Sequence, residues 1–178
     1  MLPTTAAAGA RSVRSMISHK RYLDLSRLGT PEYILCVAGP VLFAAMFLPW
    51  FDAVGNGRID GHTGAVSAWA VFPAAVNGYL VWLSFGSFIL PWIIARGHAL
   101  SWREGEMTMV FAITGIALIL SDGILSGRPG EPDSLIHVGA GYPIGLLATI
   151  AITYAGWRRQ AMLTPPNAHR ISRIWSNR

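Results

Sequence analysis

Four long apolar runs dominate this sequence and limit what it can fold into. They lie near residues 33–51, 72–95, 107–125 and 138–157. Each run approaches the ~20 residues that an α-helix needs to cross a hydrocarbon core. Backbone N–H and C=O groups in lipid must be satisfied within the segment, which favours helices over open strands. The runs therefore predict an all-α fold, a four-helix transmembrane bundle that runs up-down-up-down.

The charge content also indicates a membrane protein. Only 13% of the 178 residues are charged and 52% are hydrophobic, whereas a soluble domain usually carries about 25% charged residues. So few charges cannot cover a globular surface in water, and a lipid-facing surface is expected. The single cysteine, Cys36, cannot form an intrachain disulfide and does not indicate a redox compartment.

The distribution of Lys and Arg predicts the orientation. Five precede the first run, two lie between the second and third runs, and five follow the fourth, while the other two connections hold only Arg58 and Arg128. Because positive charge marks the cytoplasmic face, both termini are expected inside. The predicted location is a multi-pass position in the bacterial cytoplasmic (inner) membrane. An organellar membrane is the alternative, since the first 23 residues contain no acid.

The two ends of the chain are basic. Residues 1–30 are predicted to be a cytoplasmic arm, in which 13–28 form either an amphipathic helix on the membrane surface or a disordered segment. Residues 31–157 would be the transmembrane domain, and 158–178 a basic cytoplasmic tail. The basic ends are expected to attract anionic lipid of the bilayer. They lack interleaved aromatic residues, so nucleic acid is not expected as a partner.

Two Leu-Pro-Trp sequences lie near the ends of the first two runs. In the first, Pro49 is predicted to end the helix and Trp50 to sit in the aromatic belt at the membrane interface. Trp92 in the second sequence and Trp157 at the end of the fourth run are predicted to be further interface anchors.

Asp122 is the most unusual residue of the apolar runs. An ionisable residue in a spanning segment is costly and suggests a functional site. Asp122 either lies at the interface, where it is wet or paired with Arg128, or contributes to a polar site. Asn77 and His137 are the other candidates for that polar site.

Several carboxylates and two histidines lie on the predicted outer side. Asp52, Asp60, His62 and His137 have the chemistry to hold a divalent metal or to support catalysis. Their spacings match no metal motif, and the sequence contains no known catalytic motif. We expect no metal, no cofactor and no enzymatic activity.

Small residues recur every four positions in the fourth run. They are Gly141, Gly145, Thr149 and Thr153. At this spacing they lie on one helical face, where small residues let two helix backbones approach closely. The stripe predicts helix packing, either inside the monomer or against a partner membrane protein or a second copy.

Two stretches carry a family resemblance. The first is FLPWF at residues 47–51, followed by SAWAVF at 67–72, and the second is GAGYPIGLLATIAITYAGWRRQAM at 139–162. Together they resemble a family of uncharacterised four-helix integral membrane proteins of actinobacteria, in which the first helix ends in FLPW[FY]. The resemblance implies the four-helix topology and a bacterial source. It implies no active site.

Three functional hypotheses are consistent with these patterns. The leading one is a small integral membrane protein that acts as a non-catalytic accessory, scaffolding or assembly subunit. The first alternative is an oligomeric transporter or channel component with a polar site around Asp122. The second is a membrane enzyme that acts at the outer face.

Overall fold

A computed structural model describes Leu25 and residues 28–96, 105–125, 127 and 129–163. Most of the predicted basic arm, most of the predicted tail and Arg128 lie outside the described residues.

The described residues form five α-helices and one three-stranded antiparallel sheet. The helices are α1 (Thr30–Ala45), α2 (Ala68–Val71), α3 (Ala74–Ala95), α4 (Glu106–Leu120) and α5 (Gly141–Leu163). The strands are β1 (Pro49–Ala53), β2 (Gly64–Ser67) and β3 (Ile136–Val138). A π-helical turn, Ser121–Leu125, extends α4, and a short 3₁₀ turn, Asp133–Leu135, precedes β3.

The prediction of an all-α, four-helix transmembrane bundle is wrong. The first helix was predicted near residues 33–51, but α1 has 16 residues and ends at Ala45. From Pro49 to Ala53 the chain forms a β-strand. Proline lacks a backbone N–H and disfavours helix in the residue before it. Within the described residues, two helices are long and apolar enough to cross a membrane. They are α3 and α4 with its π-helical turn, with mean hydropathies of 1.6 and 2.0.

The four longer helices pack side by side around a common core. α1 contacts both α3 and α5, and α4 contacts α5 closely but α3 only sparsely. The α1–α3 crossing is tight at Gly39, where an added Cβ would lie 2.6 Å from the Ser84 carbonyl oxygen. The Ser84 hydroxyl also donates a hydrogen bond of 2.6 Å to the Gly39 carbonyl. Glycine at this position therefore allows α1 and α3 to approach.

The sheet lies at one end of these helices, which we call the sheet end. β1 follows α1, while β2 leads through α2 into α3 and β3 leads into α5. β1 is the central strand and pairs with both neighbours. A bulge interrupts its pairing with β2 between Pro49 and Phe51. Alternate residues of a regular strand face opposite sides, but a bulge re-aims a side chain, and both Trp50 and Phe51 are fully buried.

Trp50 is a fully enclosed aromatic residue at the sheet end. Its indole packs edge-on against Phe72 and Tyr142, with ring centroids 5.0 and 5.7 Å apart. Its Nε1–H donates a hydrogen bond of 2.7 Å to the carbonyl of Ala45, the last residue of α1. The predicted role of Trp50 as an interface anchor is wrong, because the side chain is 0% exposed. The bulge turns it into the protein core.

The small-residue stripe of α5 makes room for this ring. A Cβ added to Gly141 would lie 2.5 Å from the indole Cδ1, and one added to Gly145 would lie 2.6 Å from Cζ2. Further along α5, the hydroxyls of Thr149 and Thr153 donate to carbonyls of their own helix at 2.8 and 3.0 Å. The two glycines therefore accommodate a tryptophan from β1.

An ion pair lies at the opposite end of the helices, which we call the far end. Glu32 in α1 pairs with Arg159 in α5, and the Glu32 side chain is only 3% exposed. The same carboxylate accepts a hydrogen bond of 2.6 Å from the Gly29 N–H. Burial lowers the pKa of the Arg159 guanidinium, but the ordinary value for arginine is so high that the group stays charged at neutral pH. The pair ties α1 to α5.

We expect Gly145→Ala to destabilise the protein, because its methyl group would overlap the indole of Trp50. Overpacking of this kind typically lowers the free energy of unfolding by about 1–3 kcal/mol. Thermal unfolding in mild detergent, followed by circular dichroism, measures the effect. Gly78→Ala in α3 is the matched control, since no atom lies within 4 Å of its added Cβ. Equal effects of the two substitutions would contradict the packing of Trp50 on α5.

Candidate functional site

Two of the sequence-predicted polar residues lie next to each other on the sheet. Asp52 in β1 pairs with Ala65 of β2 on one side and with His137 of β3 on the other. Residues directly opposite each other in an antiparallel pair share a face, with Cβ atoms about 4.5–5.5 Å apart. The neighbouring positions Ala53 and Ile136 are buried, so Asp52 and His137 lie on the face turned away from the core. We call this the outer face of the sheet.

The outer face combines an acid with a base. His137 is exposed and Asp52 is partly exposed. A carboxylate and an imidazole at this spacing can form a hydrogen-bonded or charged pair with each other, or with polar groups of a bound protein. The outer face is therefore the candidate contact site outside the helices.

Asp60 and His62, two further candidates from the sequence, lie in the connection between β1 and β2. Asp60 has a φ of 47°, a left-handed conformation that aspartate tolerates better than most residues. His62 follows, and its backbone exchanges hydrogen bonds of 2.8 and 2.9 Å with Ile59. Across the described ranges, no group of three or more His, Cys, Asp or Glu side chains is placed to hold a metal ion.

Asn77 lies at the start of α3 and is 5% exposed. Its Nδ2 donates to the carbonyls of Phe72 and Trp69, at 2.8 and 3.4 Å. These bonds hold the turn that joins α2 to α3. The Asn77 Oδ1 has no hydrogen-bond partner among the described residues. The geometry gives Asn77 a positioning role beneath the sheet.

Asp122 lies in the π-helical turn that ends α4 and is partly exposed. Such turns are frequent at functional sites. The next residue, Gly123, is covered by the ring of Tyr142, whose Cε2 would lie 2.4 Å from an added Cβ. Within the described part of the chain, no hydrogen bond joins Asp122 to Asn77 or His137. The three residues of the predicted polar site are thus not linked directly.

The remaining predicted anchors lie on the surface. Trp92 of α3 and Trp157 of α5 are 44% and 53% exposed, towards the far end of their helices. Pro49 is exposed at the start of β1. Trp92 and Trp157 therefore keep exposed rings, unlike Trp50, and their role as interface anchors stays a prediction.

The structure contains a cleft between α3 and α4 that the sequence did not predict. It has a volume of about 340 Å³, and its lining includes Trp82, Leu83, Ser87, Leu90, Thr108 and Phe111. Hydropathy could not reveal it, because the cleft arises from the sparse contact between α3 and α4 and not from how apolar either helix is. The Gly86-Ser87 pair inside the second apolar run was the one available sequence signal.

Comparison with protein-family models, with curated proteins and with solved structures finds no match to this chain. The resemblance to the actinobacterial four-helix family therefore stays a prediction. Functional inference rests on the geometry of the residues described above.

We expect Asn77→Asp to destabilise the fold. A carboxylate cannot donate to the Phe72 and Trp69 carbonyls, and leaving such buried groups unpaired costs about 1–3 kcal/mol. The midpoint of thermal unfolding in detergent measures the loss. Asn56→Asp is the control, since Asn56 is exposed in the β1–β2 loop and surface substitutions usually stay within about 0.5 kcal/mol. A shift no larger than that of the control would refute the positioning role of Asn77.

Proposed function

We propose that the protein is a multi-pass integral membrane protein of the bacterial cytoplasmic membrane and acts there as a non-catalytic accessory, scaffolding or assembly subunit. One observation carries the membrane location. Of the most apolar 18 residues of each helix, only 39% in α3 and 22% in the extended α4 are buried within the protein. The core helix of a soluble protein would be mostly buried. These outward apolar surfaces, which include Trp82 and Ile113, require lipid or another apolar environment.

The charges support an orientation. At the far end, Arg96 directly follows α3, and α5 carries Arg158 and Arg159. At the sheet end, Arg58 is the only arginine among the described residues. Because Lys and Arg are enriched on the cytoplasmic side, we place the far end towards the cytoplasm and the sheet on the opposite side. The arginines at the far end would attract anionic lipid headgroups.

The sheet supports the role as an accessory subunit. Trp50 holds β1 against α1, α5 and the start of α3, so the outer face keeps a fixed position relative to the helices. A partner protein outside the bilayer would meet Asp52 and His137 on that face. A rigid polar surface displayed by membrane helices suits docking of another subunit, since little ordering is required on binding.

Cysteine labelling tests the membrane location. The Cys36→Ala background removes the single cysteine. In this background, Asn56→Cys introduces a thiol at the sheet end and Arg96→Cys introduces one at the far end. We expect a membrane-impermeant maleimide to label Asn56→Cys in intact cells, and Arg96→Cys only after the membrane is opened. Both native residues are exposed, so burial does not limit the reaction. Equal labelling of the two variants in intact cells would overturn the proposed location.

Co-purification from native membranes tests the accessory role. We expect a stoichiometric partner to be retained by the unmodified protein in mild detergent and identified by mass spectrometry. The double variant Asp52→Ala and His137→Ala should lose it, because the polar pair of the outer face is removed. His62→Ala is the control, as His62 is exposed in the neighbouring loop. The proposal fails if the double variant and the control retain the same proteins to the same extent.

A further inference from the structure

Trp69 is an exposed tryptophan at the sheet end. It lies in α2, and its side chain is 41% exposed. Its backbone is held in place, because the Trp69 carbonyl accepts a hydrogen bond from Asn77. Its indole N–H has no hydrogen-bond partner among the described residues, whereas that of Trp50 donates to the Ala45 carbonyl. The surroundings of Trp69 therefore differ from those of the buried Trp50.

Four aromatic rings follow one another from Trp69 onto the helices. The ring of Trp69 contacts that of Phe47, which follows α1, with centroids 5.5 Å apart. Phe47 contacts Phe43, and Phe43 contacts Phe85 of α3, both at 5.3 Å. Phe47 and Phe85 are 59% and 49% exposed. We call these four residues the aromatic stripe. Trp69, the member with a polar ring atom, lies at its outermost end.

The charged residues of the chain stop where the aromatic stripe begins. Residues 33–51 and 64–95, which contain the whole stripe, include no Asp, Glu, Lys or Arg. At the sheet end, charge returns at Asp52 in β1 and at Asp60 in the β1–β2 loop. Charged side chains are costly in hydrocarbon and favourable among headgroups. The boundary between the two kinds of surface therefore matches the boundary between headgroups and hydrocarbon in a bilayer.

The length of α3 fits this placement, which rests on the proposed membrane location. From Ala74, where α3 begins, to the exposed Trp92, the helix rises about 27 Å at about 1.5 Å per residue. A hydrocarbon core is about 30 Å thick, and tryptophan is enriched at both of its surfaces. By the same rise, Phe85 lies about 17 Å from Ala74 and about 15 Å from Ala95. One bilayer can therefore hold Trp69 at one surface, Trp92 at the other and Phe85 near its middle.

We propose that Trp69 anchors the sheet end in the lipid interface on the outer side of the membrane. The indole lies at the level of the headgroups, and the rings of Phe47, Phe43 and Phe85 contact acyl chains below it. An amphipathic ring followed by purely apolar rings is the order expected of a surface that passes from headgroups into hydrocarbon. Trp69 thus has the role that was predicted for Trp50. Its contact with lipid sets the height of the outer face above the bilayer.

Quenching by nitroxide lipids tests the depth of the aromatic stripe. Full-length Cys36→Ala protein in phosphatidylcholine vesicles carries one NBD fluorophore, at Phe47→Cys, Phe85→Cys or Asn56→Cys, and all three native residues are exposed. We expect a headgroup nitroxide to quench the label at 47 most strongly. A nitroxide near the end of the acyl chain should quench the label at 85 most strongly, and neither should quench the label at 56 appreciably. The anchor is refuted if the label at 47 is quenched as weakly as the label at 56.

A second set of variants tests Trp69 itself. Because its ring contacts that of Phe47, Trp69→Ala should reduce headgroup quenching of the label at 47, and Trp69→Tyr, which keeps an amphipathic ring, should preserve it. Trp82→Ala is the control, since Trp82 is 53% exposed but lies further along α3. Unchanged quenching in Trp69→Ala, or an equal loss in Trp82→Ala, would overturn the proposal.

The label at Phe85→Cys separates this proposal from the membrane location on which it rests. If neither nitroxide quenches that label, the membrane location fails. If the acyl-chain nitroxide quenches it while the label at 47 stays as bright as the label at 56, only the anchor fails.

Discussion

The packing of one indole ring determines how the sheet and the helices fit together. Trp50 donates a hydrogen bond to the end of α1, contacts Phe72 just before α3, and rests on Gly141 and Gly145 at the start of α5. Aromatic pairs such as Trp50–Phe72 contribute about 0.5–1.5 kcal/mol beyond their burial. Three helices and the central strand thus meet at a single side chain. The position of the outer face follows from this contact.

The sequence predicted some parts of this structure far better than others. The apolar runs near 72–95 and 107–125 overlap α3 and α4, because hydropathy over ~20 residues is a local property. The sheet was missed because β1 pairs with β3 across more than 80 residues, and no local pattern records that pairing. Only that register brings Asp52 beside His137. The FLPWF sequence was misinterpreted for the same reason, since the bulge that buries Trp50 depends on β2.

The small residues show a second limit of prediction from sequence. A regular spacing of Gly and Thr on a helix indicates a face that accepts close approach, but it does not identify the group that approaches. On α5 that group is an indole at Gly145 and the backbone of α4 at Gly156, where an added Cβ would lie 2.7 Å from the Met109 nitrogen. The cleft was equally hidden, because it depends on how far α3 and α4 diverge.

Two contacts, one at each end of the helices, join α1 to α5. At the far end Glu32 binds Arg159, and at the sheet end Trp50 joins the end of α1 to the start of α5. Because α1 lies close to α3 and α4 lies close to α5, the four helices form two pairs that meet along the α1–α5 contact. The contact between α3 and α4 is sparser, although the Tyr79 hydroxyl donates a hydrogen bond of 2.7 Å to the Phe111 carbonyl across it. Among the neighbouring helix pairs of the described residues, α3 and α4 therefore depend least on each other, and most on α1 and α5, for their positions.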